Sequence, residues 1–220
     1  MVILHHLNNS RSQRLLWLLE ELNIPYEIKT YQRDSKTELA PEAIKKVHAL
    51  GKFPVITDGD ITVAESGAII EYLVEKYGRN FSPERGTDAG RSYTYWMHYA
   101  EGSLMPLLVI KLIFDKVKSS PMPFFIKPIA KGIANKVMAA YAGPNIKSNL
   151  NYINQHLATN EWFCGDQLTG ADIQMSFPLE AMVSQQGLEE YPNIVAFVKK
   201  FQARPAYQKG LKAGGSYDFA

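Results

Sequence analysis

Residues 51–74, with the sequence GKFPVITDGDITVAESGAIIEYLV, decide the fold because they combine two strand patterns, a turn and a helix start. The runs at 53–57 and 61–64 are rich in β-branched and aromatic residues, which favour strands. The Asp-Gly pair at 58–59 between them is a strong signal for a two-residue hairpin turn. Ser66 is placed to cap a helix whose apolar residues recur at helical spacing. The stretch therefore predicts an antiparallel hairpin followed by a helix.

The residues before this stretch alternate between strand and helix patterns. An apolar run at 2–7 predicts a strand, and apolar residues three and four positions apart from Leu15 onward predict a helix. Alternation at 26–31 predicts a half-buried strand, and Pro41 suits the first turn of a short helix that ends near His48. The order is β-α-β-α-β-β-α in a mixed sheet. We expect the first two strands to be parallel, with a right-handed crossover, and the last two to be antiparallel.

Strand patterns largely disappear in the rest of the chain. Helical patterns lie near 88–118, 124–142, 145–158, 171–185 and 193–203. Proline and glycine in the segment between the two kinds of pattern predict a linker. We therefore predict an α/β domain over residues 1–80, a linker over 81–87 and an all-α domain over 88–220.

The composition limits the class of protein and its partners. The 220 residues carry 24 Lys and Arg against 22 Asp and Glu, a net charge of +2, so we expect no nucleic-acid partner. No run reaches the roughly 18 uncharged apolar residues of a membrane helix, so no integral membrane segment is expected. The single cysteine, Cys164, cannot form an internal disulfide, which favours a cytoplasmic location. The histidines show no ligand spacing, so we expect no metal, and any thiol chemistry must use a sulfur from a ligand.

The turn at 8–12, Asn-Asn-Ser-Arg-Ser, joins the first strand to the first helix and is a candidate binding segment. A helix N-terminus presents unpaired N–H groups and about half a positive charge, which suits a thiolate, carboxylate or phosphate. Ser10 and Ser12 can donate hydroxyl hydrogen bonds there, and Arg11 adds positive potential. The alternative is that one serine only caps the helix.

Two further segments converge on this turn if the sheet forms as predicted. Pro54 opens a strand without an N–H for the ladder, and a cis bond before it would expose the backbone of Phe53 to an extended ligand. A trans proline at a sheet edge is the alternative. Glu65 and Ser66 offer a carboxylate, a hydroxyl and backbone N–H groups, which suit a ligand with an amino group and a carboxylate. The alternative is an ordinary first helical turn, where acids are favoured by the helix dipole.

Three motifs in order along the chain resemble those of the cytosolic-type glutathione S-transferases. LGKFPVI at 50–56 is similar to the family's LGKVPVL element, and AESGAIIEYL at 64–73 to its ESxAIxxYL element. LTGADI at 168–173 is similar to the xSxAD element that caps a buried helix. NSRSQRLLWLLEEL at 9–22 and EGSLMPLL at 101–108 are closest to the fungal and bacterial subgroup. The combination spans nearly the whole chain and is specific.

The resemblance implies a thioredoxin-like first domain, an all-α second domain with an apolar co-substrate pocket, and a homodimer. The helix around Trp96, which the pattern suggests is exposed, also favours a dimer. The resemblance makes a cis bond before Pro54 expected. The box from Thr169 to Asp172 has a structural interpretation instead, because Asp172 can reach back to the helix start as in a capping box.

The resemblance also assigns the ligand, glutathione, to named residues. The backbone of Phe53 would pair with its cysteinyl part, and Glu65 and Ser66 would hold its γ-glutamyl end. Lys52 is expected near the glycine carboxylate. Glu101 is expected to reach the glutathione amine, either within its own subunit or across the dimer.

The group that activates the thiol is left open among three side chains. The first turn lacks the tyrosine or cysteine of better-known classes and offers Asn9, Ser10 and Ser12. The register of serine-type classes favours Asn9, whereas the closest subgroup favours Ser10. We expect Ser10 first and Asn9 second, with Ser12 as the helix cap.

These features predict a glutathione transferase that activates the glutathione thiolate for attack on a small hydrophobic electrophile or a peroxide. One alternative is a glutathione-dependent peroxidase or disulfide-bond reductase that uses the same site. A second alternative, from another class, is a non-catalytic interaction module with the same fold.

Overall fold

A computed structural model describes residues 1–34, 37, 39–185 and 187–220. Its first half contains a four-stranded sheet and two α-helices. The strands are β1 (Val2–Leu7), β2 (Tyr26–Tyr31), β3 (Val55–Asp58) and β4 (Ile61–Ala64), and the helices are α1 (Gln13–Glu21) and α2 (Ser66–Tyr77). Short 3-10 helices occupy Glu42–Lys46 and Arg79–Phe81.

The sheet has the mixed topology that the sequence predicts. The strand order is β2-β1-β3-β4, with β1 parallel to β2 and the other two pairings antiparallel. The predicted second helix is only a 3-10 helix. Because His5 pairs with Val55 in antiparallel register, the turn after β1 lies beside Phe53 and Pro54. The topology thus brings two of the predicted binding segments together.

The second half is helical. Its helices are α3 (Asp88–Tyr99), α4 (Met105–Ser119), α5 (Lys127–Val137), α6 (Gly143–Thr159), α7 (Gly170–Val183), α8 (Pro192–Gln202) and α9 (Pro205–Gly214). π-Helical turns at Ala100–Leu104 and Met138–Ala142 join α3 to α4 and α5 to α6. The sequence pattern did not predict α9, because only Tyr207 and Gly210 of this helix are buried.

The helix α7 joins the two halves through a shared core. Every residue from Gly170 to Glu180 is buried, as expected for a helix that is surrounded by protein. It packs against α1 and α2 of the first half and α3 and α8 of the second. One apolar cluster therefore continues from the sheet into the helical half, and the site between the halves has a rigid floor.

The last helix is held against the first by a close backbone approach. A Cβ atom at Gly210 would lie 2.9 Å from backbone atoms of both Leu16 and Trp17. Only glycine lets α9 approach α1 so closely. The segment that follows α9 therefore starts from a fixed position.

The helix around Trp96 is exposed on one side, where Tyr95 is 46% exposed, but Trp96 itself lies in the core. Trp96 is 1% exposed, and its ring stacks on Tyr152 with centroids 5.5 Å apart. His156 and Phe163 complete an aromatic cluster around it. Trp96 therefore belongs to the core and gives no support to a dimer, which stays a prediction.

The continuous helical segment 88–119 is long and apolar enough, by length and composition, to cross a membrane. The core helices of folded domains pass the same test. Within this segment Trp96 and Leu104 are buried in the shared core, and Glu101 forms ion pairs with the first half. We therefore interpret the segment as a helix of the folded domain, and the absence of an integral membrane segment stays a prediction.

The capping box at the start of α7 generates a stability prediction. Asp172 is fully buried and accepts hydrogen bonds of 2.8 Å from the backbone N–H groups of Phe163 and Thr169 and from the Thr169 hydroxyl. Asp172→Ala leaves two buried N–H groups without an acceptor, at a cost of about 1 to 3 kcal/mol each. We expect urea unfolding to show a loss of about 3 kcal/mol or more. The exposed Asp166→Ala is the control, and an equal loss in both variants would contradict the prediction.

Candidate active site

Two adjoining cavities lie where the sheet meets the helical half. The polar cavity, about 200 Å³, contains every residue that the sequence assigns to ligand binding. It is lined by Arg11, His48, Leu50, Lys52, Phe53, Pro54, Ala64, Glu65, Ser66 and Glu101. The sheet topology and the start of α2 thus bring together side chains from separate parts of the chain.

The apolar cavity, about 390 Å³, opens next to it. The turn after β1 contributes Asn9 and Ser10, and the walls come from α4, α7 and the segment after α9. Its apolar lining includes Met105, Leu108, Leu112, Phe177 and Phe219. Arg11, Lys52 and Phe53 line both cavities, so molecules bound in the two would meet at these residues.

The segments at Pro54 and Glu65 have special backbone geometry. The Phe53–Pro54 peptide bond is cis, as the resemblance leads us to expect. Glu65 precedes α2 with a φ of 70°, a conformation that residues other than glycine rarely adopt and that is common at ligand sites. Ser66 is the first residue of α2 and makes no side-chain cap, so its predicted role as the helix cap is wrong.

The hydroxyl of Ser66 is instead held by the buried Arg14, which the sequence predicts only as a source of positive potential beside Arg11 and not as a site residue. Arg14 is 2% exposed; its Nη2 donates to Ser66 Oγ and to Glu101 Oε1, both at 2.5 Å. Its Nη1 donates to the carbonyl of Gln174 in α7. The sequence signal for a buried role was the position of Arg14 directly before the apolar residues of α1. Because a buried charge is stable only when paired, this cluster fixes the start of α2 against α7.

Glu101 lies in the π-helical turn and pairs with two arginines. Arg11 Nε donates to both of its carboxylate oxygens at 3.0 Å, and Arg14 holds one of them. Burial raises the pKa of Glu101, but the two guanidinium groups outweigh it and hold that pKa below its ordinary value. The carboxylate is therefore ionised at neutral pH and still lines the polar cavity.

The three candidate activating side chains have different environments. Ser10 lines the apolar cavity, and its hydroxyl lies 2.7 Å from the carbonyl of Leu7, to which it donates. Ser12 is fully buried and lines neither cavity. Its Oγ lies 2.8 Å from Ser10 Oγ and 2.8 Å from His6 Nδ1. Ser12 makes no side-chain cap on α1, so its predicted capping role is also wrong, and it supports the turn from beneath.

The hydrogen bonds that link Ser10, Ser12 and His6 have a defined donor and acceptor at each step. His6 Nε2 lies 3.1 Å from the carbonyl of Gly214, so Nε2 carries the proton. Burial lowers the pKa of His6, the ring is neutral at pH 7, and Nδ1 accepts from Ser12. The Ser10 proton is then shared between the Leu7 carbonyl and Ser12 Oγ. Ser10 keeps one rotatable hydroxyl at the cavity wall.

Asn9 is occupied by the C-terminal part of the chain. Its Nδ2 donates to Asp218 Oδ2 at 2.7 Å, and its Oδ1 accepts the Asp218 backbone N–H at 2.9 Å. Asn9 has a φ of 48°, in the left-handed region that asparagine tolerates.

The buried Glu180, in α7, accepts hydrogen bonds from the hydroxyls of Tyr207 and Tyr217.

The remaining candidates lie elsewhere. Cys164 is half-buried in the loop before α7, and burial raises its pKa to about 11. A wider groove of about 960 Å³ lies between α2 and α3, and none of the predicted site residues lines it. Among the described residues, no three His, Cys, Asp or Glu side chains come together in a way that could hold a metal ion.

Comparisons with known proteins identify the family. The profile of the glutathione S-transferase N-terminal domain matches residues 1–75, and that of the C-terminal domain matches residues 117–205. Glutathione S-transferase 3 of Schizosaccharomyces pombe is 42% identical over 94% of this chain and 85% of its own. Glutathione S-transferase 1 of Saccharomyces cerevisiae is 35% identical over 94% and 92%. The chain therefore belongs to the glutathione S-transferases, a family of enzymes.

Solved structures agree with this assignment. A glutathione S-transferase from Actinobacillus pleuropneumoniae superposes with a TM-score of 0.82 at 34% identity, covering 100% of this chain and 95% of that one. A sphingomonad enzyme, solved in complex with glutathione, shares the fold at a TM-score of 0.73 and 22% identity, over 97% and 98% of the two chains. The first half is thus a thioredoxin-like domain and the second a helical one, as predicted, while the limits at 80 and 88 stay predictions.

The buried carboxyl beside the site predicts a pH-dependent stability. Burial raises the pKa of Glu180 from 4.5 to about 7, so the folded state holds this proton more tightly than the unfolded chain. This contribution to stability is full below about pH 4.5 and is lost as the pH rises through about 7. We expect the unfolding free energy of the wild type to fall by up to about 3 kcal/mol between about pH 5 and 8 relative to Glu180→Gln, which cannot ionise. Urea titrations of both proteins at each pH measure this difference, and parallel pH curves would refute it.

Proposed function

We propose that the protein binds glutathione in the polar cavity and transfers the glutathionyl group, through its sulfur, to a small hydrophobic electrophile in the apolar cavity. The observation that carries this proposal is that a charged cavity and an apolar one share Arg11, Lys52 and Phe53 as a common wall. Glutathione carries an amine, two carboxylates and a thiol, so it needs charged partners at both ends. An electrophile without charge needs only apolar walls.

The polar cavity offers a partner for each end of the tripeptide. Glu65 and the N-terminus of α2 at Ser66 suit the amine and carboxylate of the γ-glutamyl group. The backbone of Phe53 pairs with the cysteinyl residue, and Lys52 attracts the glycine carboxylate. Glu101 lines the same cavity and suits the glutathione amine within its own subunit, and the alternative is a contact across a dimer interface. This placement directs the thiol toward the turn at Ser10.

The turn supplies the free energy that ionises the thiol. A free thiol has a pKa near 8.5, and lowering it by two units takes about 2.7 kcal/mol. The Ser10 hydroxyl exchanges its bond to the Leu7 carbonyl for one to the sulfur, a gain of about 1 to 2 kcal/mol because the acceptor is charged. The N-terminus of α1 and Arg11 supply the remainder. The high pKa of Cys164 supports the view that the reacting sulfur is that of the ligand.

The transfer balances without a further reagent. The thiolate lone pair forms a carbon–sulfur bond with the electrophile, and a leaving group such as chloride departs with the electrons of the bond that breaks. The thiol proton passes to solvent when the thiolate forms. A panel of aryl chlorides, peroxides and disulfides, each with and without glutathione, tests the proposal. Turnover of peroxides or disulfides alone would favour the peroxidase or reductase alternative, and no turnover would favour a non-catalytic module.

The polar cavity generates a prediction about glutathione binding. Glu65→Gln removes an exposed carboxylate from the polar cavity without disturbing the core, so we expect the glutathione affinity to fall about tenfold, because hydrogen bonds to charged groups contribute about 1.5 to 3 kcal/mol. Glu75→Gln, on the exposed face of α2 outside this cavity, is the matched control. Isothermal titration calorimetry decides, and equal affinities of the two variants would remove the proposed site.

The turn at Ser10 generates a prediction about the pKa of the thiol of bound glutathione. Ser10→Ala should raise the pKa of bound glutathione by about 0.7 to 1.5 units, since one unit corresponds to about 1.36 kcal/mol. Ser12→Ala should shift it less, because Ser12 is buried beneath the turn. Ultraviolet absorbance of the thiolate against pH measures the shift in Ser10→Ala, Ser12→Ala and Asn9→Ala. A shift confined to Asn9→Ala would show that the register of the serine-type classes was the better guide.

We also propose a cytoplasmic homodimer. Exposed apolar side chains concentrate on α4 and α5, and a partner subunit would cover part of this surface. They include Ile113, Val117, Ile129 and Ile133. Light scattering at micromolar concentration should give about twice the chain mass of 24.8 kDa. A stable monomer would also remove the cross-subunit role of Glu101.

A further inference from the structure

The segment 215–220, here called the C-terminal strap, folds back from α9 over the active-site turn. Gly215 has a φ of 82°, in the left-handed region that favours glycine, and it reverses the chain after α9. The start of the strap is fixed, because Gly210 seats α9 on α1 and His6 donates to the Gly214 carbonyl. The strap therefore begins at the end of α9, a helix that is held in a fixed position close to the turn.

Two aromatic side chains anchor the strap to the helical half. Tyr217 is buried, and its hydroxyl donates to Glu180 Oε2 at 2.9 Å. Phe219 packs edge-on against Phe177, with ring centroids 5.8 Å apart, and lines the apolar cavity. The strap thus contributes one wall of the cavity that receives the co-substrate.

Between these aromatic residues, Asp218 is exposed and faces the turn. It forms the reciprocal pair with Asn9, in which each residue donates one hydrogen bond to the other. Asn9 is the residue before Ser10, so the pair joins the strap to the backbone of the thiol-activating turn. The two residues are 209 positions apart in sequence, so only the folded chain brings them together.

We propose that Asp218 is a positioning residue that holds the strap, and with it Phe219, as a wall of the apolar cavity. Through that wall it sets how tightly small apolar co-substrates bind, without touching glutathione. This inference rests on the proposed function, since it takes the apolar cavity as the co-substrate site. Loss of the pair leaves the bond of Tyr217 to Glu180 in place but lets Phe219 move away from Phe177.

The direct test compares Asp218→Ala with Asp218→Asn, whose amide oxygen can still accept from Asn9. Ser216→Ala, an exposed change in the same strap, is the control. Hydrogen exchange of the peptide 205–220 should speed up at least threefold in Asp218→Ala and stay within twofold of wild type in the other two variants. An unchanged rate in Asp218→Ala would overturn the proposal.

Kinetics with chlorodinitrobenzene then test the wall. We expect Asp218→Ala and Phe219→Ala to raise the KM of this electrophile about three- to tenfold, with the KM of glutathione unchanged within twofold. Asp218→Asn should restore the wild-type value. A purely structural role would instead lower kcat and raise both KM values together, and that result would refute the proposal. A higher electrophile KM in Phe219→Ala but not in Asp218→Ala would refute it as well.

Fluorescence titration with anilinonaphthalene sulfonate separates this inference from the proposed function, because the dye reports the apolar cavity without any reaction. Weaker dye binding in Asp218→Ala and Phe219→Ala, by about threefold or more, supports the wall even if the wild type turns over no electrophile. Unchanged dye binding in both variants would refute the wall, whatever the enzymatic activity.

Discussion

The buried guanidinium of Arg14 is the interaction on which the site depends. Removing an arginine from water costs several kcal/mol unless each side of the charge is paired. Its partners are the Ser66 hydroxyl at the start of α2, the Glu101 carboxylate in the π-helical turn and the Gln174 carbonyl in α7. These three groups come from both halves of the molecule. Pairing the two terminal nitrogens of this cation therefore fixes the relative position of the elements that enclose the polar cavity.

The same cluster determines the electrostatic character of the cavity. Glu101 neutralises part of the charge of Arg11 and Arg14, while Lys52 adds a cation and Glu65 an anion at the wall. One positive charge remains in excess, which suits a ligand with two carboxylates, one amine and an ionising thiol. The π-helical turn matters here because it places Glu101 between the two arginines, as π-helical segments often do for functional residues.

The sequence predicts the parts of the fold that neighbouring residues determine. The Asp-Gly hairpin at 58–59 and the capping box at Asp172 were predictable because their partners lie within a few positions. The partners of the Arg14 side chain could not be predicted in this way, because they lie 52, 87 and 160 positions away in the sequence. The exposure of Trp96 was misjudged for the same reason, since Tyr152 covers it from α6.

The choice between Asn9 and Ser10 shows what structure adds to register. Sequence comparison places either residue at the activating position, since both are polar and lie in the same turn. Hydrogen-bond accounting separates them: Asn9 uses its amide oxygen and one N–H on Asp218, while Ser12 is buried with His6. Ser10 retains a hydroxyl that lines the apolar cavity, and its proton is shared between the Leu7 carbonyl and Ser12 Oγ. The three polar residues of one turn therefore have different partners: Asn9 is bonded to Asp218, Ser12 is buried against His6, and Ser10 presents its hydroxyl to the apolar cavity.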